Sequence, residues 1–387
     1  MAGWSRGLKA LLAVVVLGLS GWLVVTDEWR YPWRFVTYPD TDEINDPSWY
    51  TPQVVVPGDF GAALPTVTST IIDPIALEKA ASYAFRMQSS AFVVAHRGEV
   101  VMEYYAPGRT RTSRTNSMSM AKSIVSLLIG VAIEDGAIGS VDDRVARYLP
   151  EFDDEQRSKI TIRDLLEMAS GLRLDRRKLH PSSDLLRLHI GPAVAPVVLG
   201  LPSIEESGRW FEYNNCNTQL LALVLERATG TDLATYLSNK LWKPMGGRDA
   251  ALWLDRPGGH ARAYCCLFAT ARDWVRVGQL ILQKGRYQGR QVVAEGWIQA
   301  ISAPSRDEPE YGLHIWRAHP LGERRMSDRR EEFVAQDMVY LDGRGKQRVY
   351  VIPSRQLVIV RVGEHPYGKW DDAVIPNLLV RGMSPRK

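Results

Sequence analysis

The sequence predicts an α/β fold of the α+β kind: an antiparallel sheet built from both chain ends, flanked by helices, with a helical subdomain inserted in the middle. Three observations carry this expectation. Strand-length apolar runs occur early, at Ala91 to Ala95 and Val100 to Tyr105, and again late, at Val339 to Leu341, Arg348 to Ile352 and Leu357 to Val362. Capped helical segments fill the space between them. The 387 residues, 45% hydrophobic and 24% charged, are enough to bury a sizeable core.

Taken in order, residues 1–9 carry Arg6 and Lys9 and read as a cytoplasmic N-terminus ahead of an uncharged apolar run, Ala10 to Thr26. That run, residues 10–26, is long enough to predict a transmembrane anchor, with Trp22, Trp29, Tyr31 and Trp33 at headgroup level on its far side. No A-x-A cleavage site follows, so an uncleaved anchor is expected. Residues 27–73, with Pro32, Pro39, Pro47, Pro52, Pro57 and Pro65, read as a Pro-rich spacer over the domain surface. The folded domain is residues 74–387, expected on the periplasmic side of the cytoplasmic membrane.

Within it, Asp73-Pro74 caps and opens a helix to about Met87, and His96-Arg97-Gly98 turns a β-hairpin. Helices follow from near Ser119, at Ile162 to Met168, at Thr218 to Thr229 before Gly230, and at Ala271 to Gln283 before Lys284-Gly285. The last two strands join at Pro353-Ser354-Arg355, and a helix from about Asp371 to Met383 closes the chain.

Composition excludes some functions. Lys and Arg outnumber Asp and Glu by only four, 48 against 44, and are scattered, so no nucleic-acid groove is expected. Cys216, Cys265 and Cys266 cannot all pair, and adjacent cysteines make a strained bridge, so all three are expected as buried thiols. The seven histidines are dispersed, and neither C-x-x-C nor H-E-x-x-H occurs, so no metal or organic cofactor is expected.

Chemistry enters at Ser119-Met120-Ala121-Lys122. Residues three apart share a helix face, so the amine can reach the hydroxyl. The following Ile124, Val125, Leu127, Leu128 and Ile129 make this helix apolar nearly all round. Burial there pushes a lysine toward neutrality, which makes it a base beside a nucleophile. Free amides and the positive dipole end at the helix start would support an oxyanion. A second S-x-x-K, Ser384 to Lys387, has no such helix behind it. Tyr213, in Trp210-Phe211-Glu212-Tyr213-Asn214-Asn215, could relay the proton to a leaving group, and Asn215 could hold the lysine and a substrate carbonyl. Alternatively the tyrosine is a packed ring and Asn215 a helix cap.

With these motifs the chain resembles the serine β-lactamase and penicillin-binding-protein superfamily, whose S-x-x-K signature is paired with Y-x-N in the class C and esterase-like branches. Phe92 to Tyr105, Ile162-Arg163-Asp164-Leu165-Leu166 through Ser170-Gly171-Leu172, Trp242-Lys243-Pro244-Met245-Gly246 and Ala271-Arg272-Asp273 are similar to further landmarks. The resemblance spans about residues 74 to 382 and looks closest to aminohexanoate-dimer-hydrolase-like enzymes. It implies a β-lactamase-like fold and a serine hydrolase that cleaves an amide or ester of a small molecule through an acyl-serine.

The resemblance also implies a third motif at Gly343-Arg344-Gly345-Lys346-Gln347, with the Gln347 amide as second oxyanion donor beside that of Ser119. Lys346 stands where the family has a small residue. Strand alternation would put Arg344 and Lys346 on one face, Gly345 and Gln347 on the other, so Arg344 could meet a substrate carboxylate; a solvated turn is the alternative. Lys346 also keeps open a catalytically silent relative that binds cell-wall peptides or a protein partner. A lipase-like enzyme would need G-x-S-x-G, which is missing.

Overall fold

The computed structural model describes residues 30–383 apart from 40–43, 62, 69, 178–179, 181 and 321–327. Two antiparallel sheets frame it. The first is built from β1 (Gln53–Val56), β4 (Arg114–Asn116), β5 (Ala250–Trp253) and β6 (Leu267–Thr270), in the order β1-β5-β6-β4. The second combines β2 (Ser89–His96) and β3 (Glu99–Tyr105) with β9 (Trp316–Arg317), β10 (Val339–Gly343), β11 (Gln347–Ile352) and β12 (Leu357–Gly363), ordered β3-β2-β12-β11-β10-β9. A ribbon of β7 (Arg286–Tyr287) and β8 (Arg290–Gln291) stands apart. The expected sheet of both chain ends is therefore present, and the smaller sheet is the addition.

Every residue of β2 and β12 is buried, because both faces of the larger sheet are covered. Side chains alternate between the two cores: Val93, Ala95, Val358 and Val360 face one, while Phe92, Val94, Leu357 and Ile359 face the other. The second core is closed by Leu77 and Ala80 of the helix Pro74–Arg86 and by Ile375 and Leu379 of the helix Val374–Arg381. The first merges with the helical subdomain through the helix Ala271–Leu282, whose Gly278 lets the Val358 side chain approach. Both the Pro74–Arg86 and Ala271–Leu282 helices start as expected, with Asp73 capping Ile75 N and Thr270 forming a capping box with Asp273.

Two expectations need correction. The Pro-rich segment is more than a spacer: Gln53–Val56 is an edge strand paired to β5, and Ile44, Trp49, Tyr50 and Val56 are buried in the main core. Proline spacing signalled turns, and the short apolar pieces between them were too brief to register as core.

The single-pass membrane protein with a periplasmic domain is likewise withdrawn. The longest described helix, Asn215–Thr229, has 15 residues, about 22 Å at 1.5 Å per residue against a hydrocarbon layer of roughly 30 Å. Among the described residues no helix is long and apolar enough to cross a membrane, and the run from Ala10 to Thr26 lies outside them.

Candidate active site

Strand β4 delivers the chain to the serine. Asn116 at its end accepts from Met118 N at 3.0 Å and donates to Ile44 O at 3.3 Å. Ser117 N donates to Leu267 O of β6 at 2.9 Å, and Ser117 Oγ accepts from Leu267 N at 3.1 Å. The turn is so tight that Met118 adopts φ +47°, a conformation unfavourable for a side chain of this size and of the kind concentrated at functional sites. One 3₁₀ turn, Met118–Met120, holds Ser119 at the head of the apolar helix Ala121–Glu134.

Lys122 occupies the first turn of that helix and is only 2% exposed. Its Nζ lies 3.0 Å from Ser119 Oγ and donates to the backbone carbonyl of Tyr264 at 2.9 Å. Burial lowers the lysine to about 7, with the Asp342 carboxylate pulling the other way. Its amine sits 5.0 Å from the centre of the Tyr213 ring. That ring is fixed by stacking on Trp316 at 5.8 Å and by an edge contact with Tyr311 at 6.2 Å. Burial pushes the Tyr213 phenol well above its usual range, and the Ser119 hydroxyl beside it works in the opposite direction. Ser119 and Lys122, from one turn of the chain, thus meet Tyr213, from a segment some ninety residues later.

The helix after Tyr213 begins at Asn215, three residues before the expected start, and Asn214 rather than Asn215 caps it, accepting from Cys216 N at 3.2 Å. Asn215 is released to line the cleft with Ser119 and Arg344.

The third motif departs from the strand expected. Residues Arg344–Lys346 form a turn in which Gly345 has φ +74° and Lys346 φ +60°, so alternation fails and the two cations diverge. Arg344 donates to Tyr38 Oη at 2.9 Å on the cleft side, while Lys346 pairs with Asp328 away from it. Gly345 is buried, its missing side chain leaving room for Ile44. Gln347 is fully buried, donating to Gly363 O at 2.6 Å and accepting from Gly363 N at 2.9 Å, so its side chain joins β11 to β12.

Three contributors had no side-chain signature. The Tyr264 carbonyl that holds Lys122 is a backbone atom. Gly343 lies where a Cβ would stand 2.4 Å from Ser117 O and 3.1 Å from Met118 Cβ. Its φ of −135° suits any residue, so space alone demands glycine there. Gly343→Ala is therefore expected to cost about 1–3 kcal/mol by overpacking, read as a lower urea midpoint, and to disturb the Ser119 turn. The third is a disulfide between Cys265 and Cys266, which corrects the expectation of free thiols; Cys266 reaches it with φ +67°, outside the backbone range assumed for neighbours. Cys216 alone is free, and burial raises its thiol well above the usual range. Cys265 and Tyr264 line the cleft, which encloses about 700 Å³.

The β-lactamase family model matches residues 76–379. The 6-aminohexanoate-dimer hydrolase of Paenarthrobacter ureafaciens is 29% identical over 246 residues, covering 60% of this chain and 62% of that protein. The D-aminopeptidase of Brucella anthropi is 30% identical over 176 residues, 41% of this chain and 31% of that protein. The chain thus spans less than two thirds of the length of these relatives. In fold, a Bacillus anthracis structure provisionally assigned as a 6-aminohexanoate-dimer hydrolase superposes with a TM-score of 0.71 at 20% identity, covering 88% of this chain and 91% of that one. A family VIII carboxylesterase superposes at 0.63 with 15% identity, covering 81% and 99%.

Proposed function

Since the chain belongs to the β-lactamase family, we propose that it is a serine hydrolase cleaving an amide or ester bond of a small molecule through an acyl-serine at Ser119. The observation that carries this reading is the 3.0 Å contact between Ser119 Oγ and the buried Lys122 amine. With its acidity near 7, about half the lysine is neutral at that pH and can accept the serine proton as Oγ attacks the carbonyl carbon. Tyr213, whose phenol is protonated in the resting site, would give its proton to the departing amine or alcohol and take one back from the Lys122 ammonium. Water then adds to the acyl carbon and gives up a proton to neutral Lys122, which returns it to Ser119 Oγ as the acyl–oxygen bond breaks and the acid leaves. The Ser119 amide at the helix head is the proposed oxyanion donor, with Asn215 contacting the substrate carbonyl, while Gln347, fully buried and bonded to Gly363, does not line the cleft and is dropped as the second donor.

The silent-binder alternative rested on the bulk of Lys346. Its side chain pairs with Asp328 and does not line the cleft, which favours the enzyme. Linear amides, after the dimer hydrolase, and D-amino-acid amides, after the aminopeptidase, are the first substrates to try. A panel of these with p-nitrophenyl esters and a chromogenic cephalosporin should give turnover of at least one class, and none that is turned over would leave the binder standing.

The pH dependence has a definite sign. The reactive form is the neutral amine, so kcat/KM should fall about tenfold per pH unit below 7 and level off above it. A profile flat from pH 5 to 9 would remove Lys122 as the base.

A further inference from the structure

The cleft beside Ser119 has one wall supplied from outside the family-matched residues 76–379. The helix Arg30–Thr37 lies against the helix Asp184–Ile190, and it is fastened there by Arg34, which is fully buried. The Arg34 guanidinium donates to Ile190 O at 3.1 Å, Asp255 O at 3.0 Å and Thr51 O at 2.8 Å. Just after the helix, Tyr38 Oη lies 2.6 Å from His189 Nε2 and accepts from Arg344 at 2.9 Å, tying the segment to the third motif. His189 is lowered to about 3 by loss of water and by Arg262 and Arg344, so this wall carries no imidazolium at neutral pH. Between these two fastenings Phe35, 38% exposed, lines the cleft together with Leu185, Leu186 and Ile190.

We infer that Phe35, Leu185, Leu186 and Ile190 form a specificity pocket for an aliphatic chain carried by the ester or amide substrate, with the segment of residues 30–38 as its outer wall. The inference rests on the serine-hydrolase reading, since the pocket is continuous with Ser119. A volume of about 700 Å³ falls inside the roughly 300–1,000 Å³ usual for small-molecule sites. These four apolar side chains offer contacts to methylenes and no hydrogen-bond partner to a polar group. Burying each added methylene should be worth about fourfold in specificity until the pocket is filled.

The test measures kcat/KM for p-nitrophenyl esters from acetate to octanoate, and for acetate esters of alcohols of increasing length, with wild type, Phe35→Ala and Phe35→Leu. Specificity should rise with chain length in one series for wild type. The octanoate-like to acetate-like ratio should fall at least about tenfold in Phe35→Ala and return in Phe35→Leu, which keeps an apolar wall. Reaction of Ser119 with a fluorophosphonate in the same samples separates the two levels. Labelling and turnover without chain-length dependence in either series, or a ratio unchanged in Phe35→Ala, overturns the pocket alone; absence of both labelling and turnover in wild type overturns the hydrolase and the pocket with it.

Discussion

Ser119→Ala should reduce turnover by at least about a thousandfold while leaving the fold intact. The substitution deletes one hydroxyl from a partly exposed turn, and Lys122 keeps its bond to the Tyr264 carbonyl. The covalent route is then closed, because neither the lysine nor Tyr213 can replace the oxygen that bonds the acyl carbon. What remains is the rate at which bound water attacks a substrate held in the cleft. Measuring kcat on the best ester, with circular dichroism as the folding control, checks this. A residual rate within tenfold of wild type would mean that another group is the nucleophile.

Lys122→Met should lower kcat at least about a hundredfold, the scale of a lost proton-transfer group, and should also make the protein more stable. The sign follows from linkage. The lysine is lowered from 10.5 unfolded to about 7 folded, so the folded state resists protonation. That penalty is fully present below pH 7, shrinks as pH rises from 7 to 10.5, and is gone above 10.5. Each tenfold in acidity is worth about 1.4 kcal/mol, so the gain at pH 6 is at most roughly 5 kcal/mol. Methionine fills much of the same volume without a charge. Urea unfolding at pH 6 and pH 10 should show a large midpoint increase at the lower pH and a small one at the higher. Equal midpoints for variant and wild type at pH 6 would mean that the ammonium is solvated and is no primed base.

Much of the site could be read ahead because its chemistry resides in side chains at short spacing. Ser119 and Lys122 are one helical turn apart, and the apolar residues after them announced the burial that lowers the lysine. Strands β2, β10, β11 and β12 were legible from their apolar runs between turn residues. Legibility failed where geometry came from distant backbone. The turn at Arg344–Lys346 breaks strand alternation through two left-handed residues, and a lysine at φ +60° is nothing that composition announces. The Tyr264 carbonyl, the space at Gly343 and the disulfide of adjacent cysteines depend on chain paths set by the surrounding sheets. The segment before residue 74 was misjudged for a related reason. Arg34 looks like a surface cation in sequence, and only its three carbonyl partners make it a buried clasp.

The central claim is that Ser119 becomes acylated, and trapping that intermediate tests it most directly. Wild-type protein would be mixed with a turned-over ester, quenched in acid within the first turnovers, digested and mapped by mass spectrometry. The account predicts the acyl mass on the peptide containing Ser119, absent from Ser119→Ala and accumulating before steady state. Turnover with an unmodified Ser119 peptide, or the acyl mass on any other residue, would contradict it.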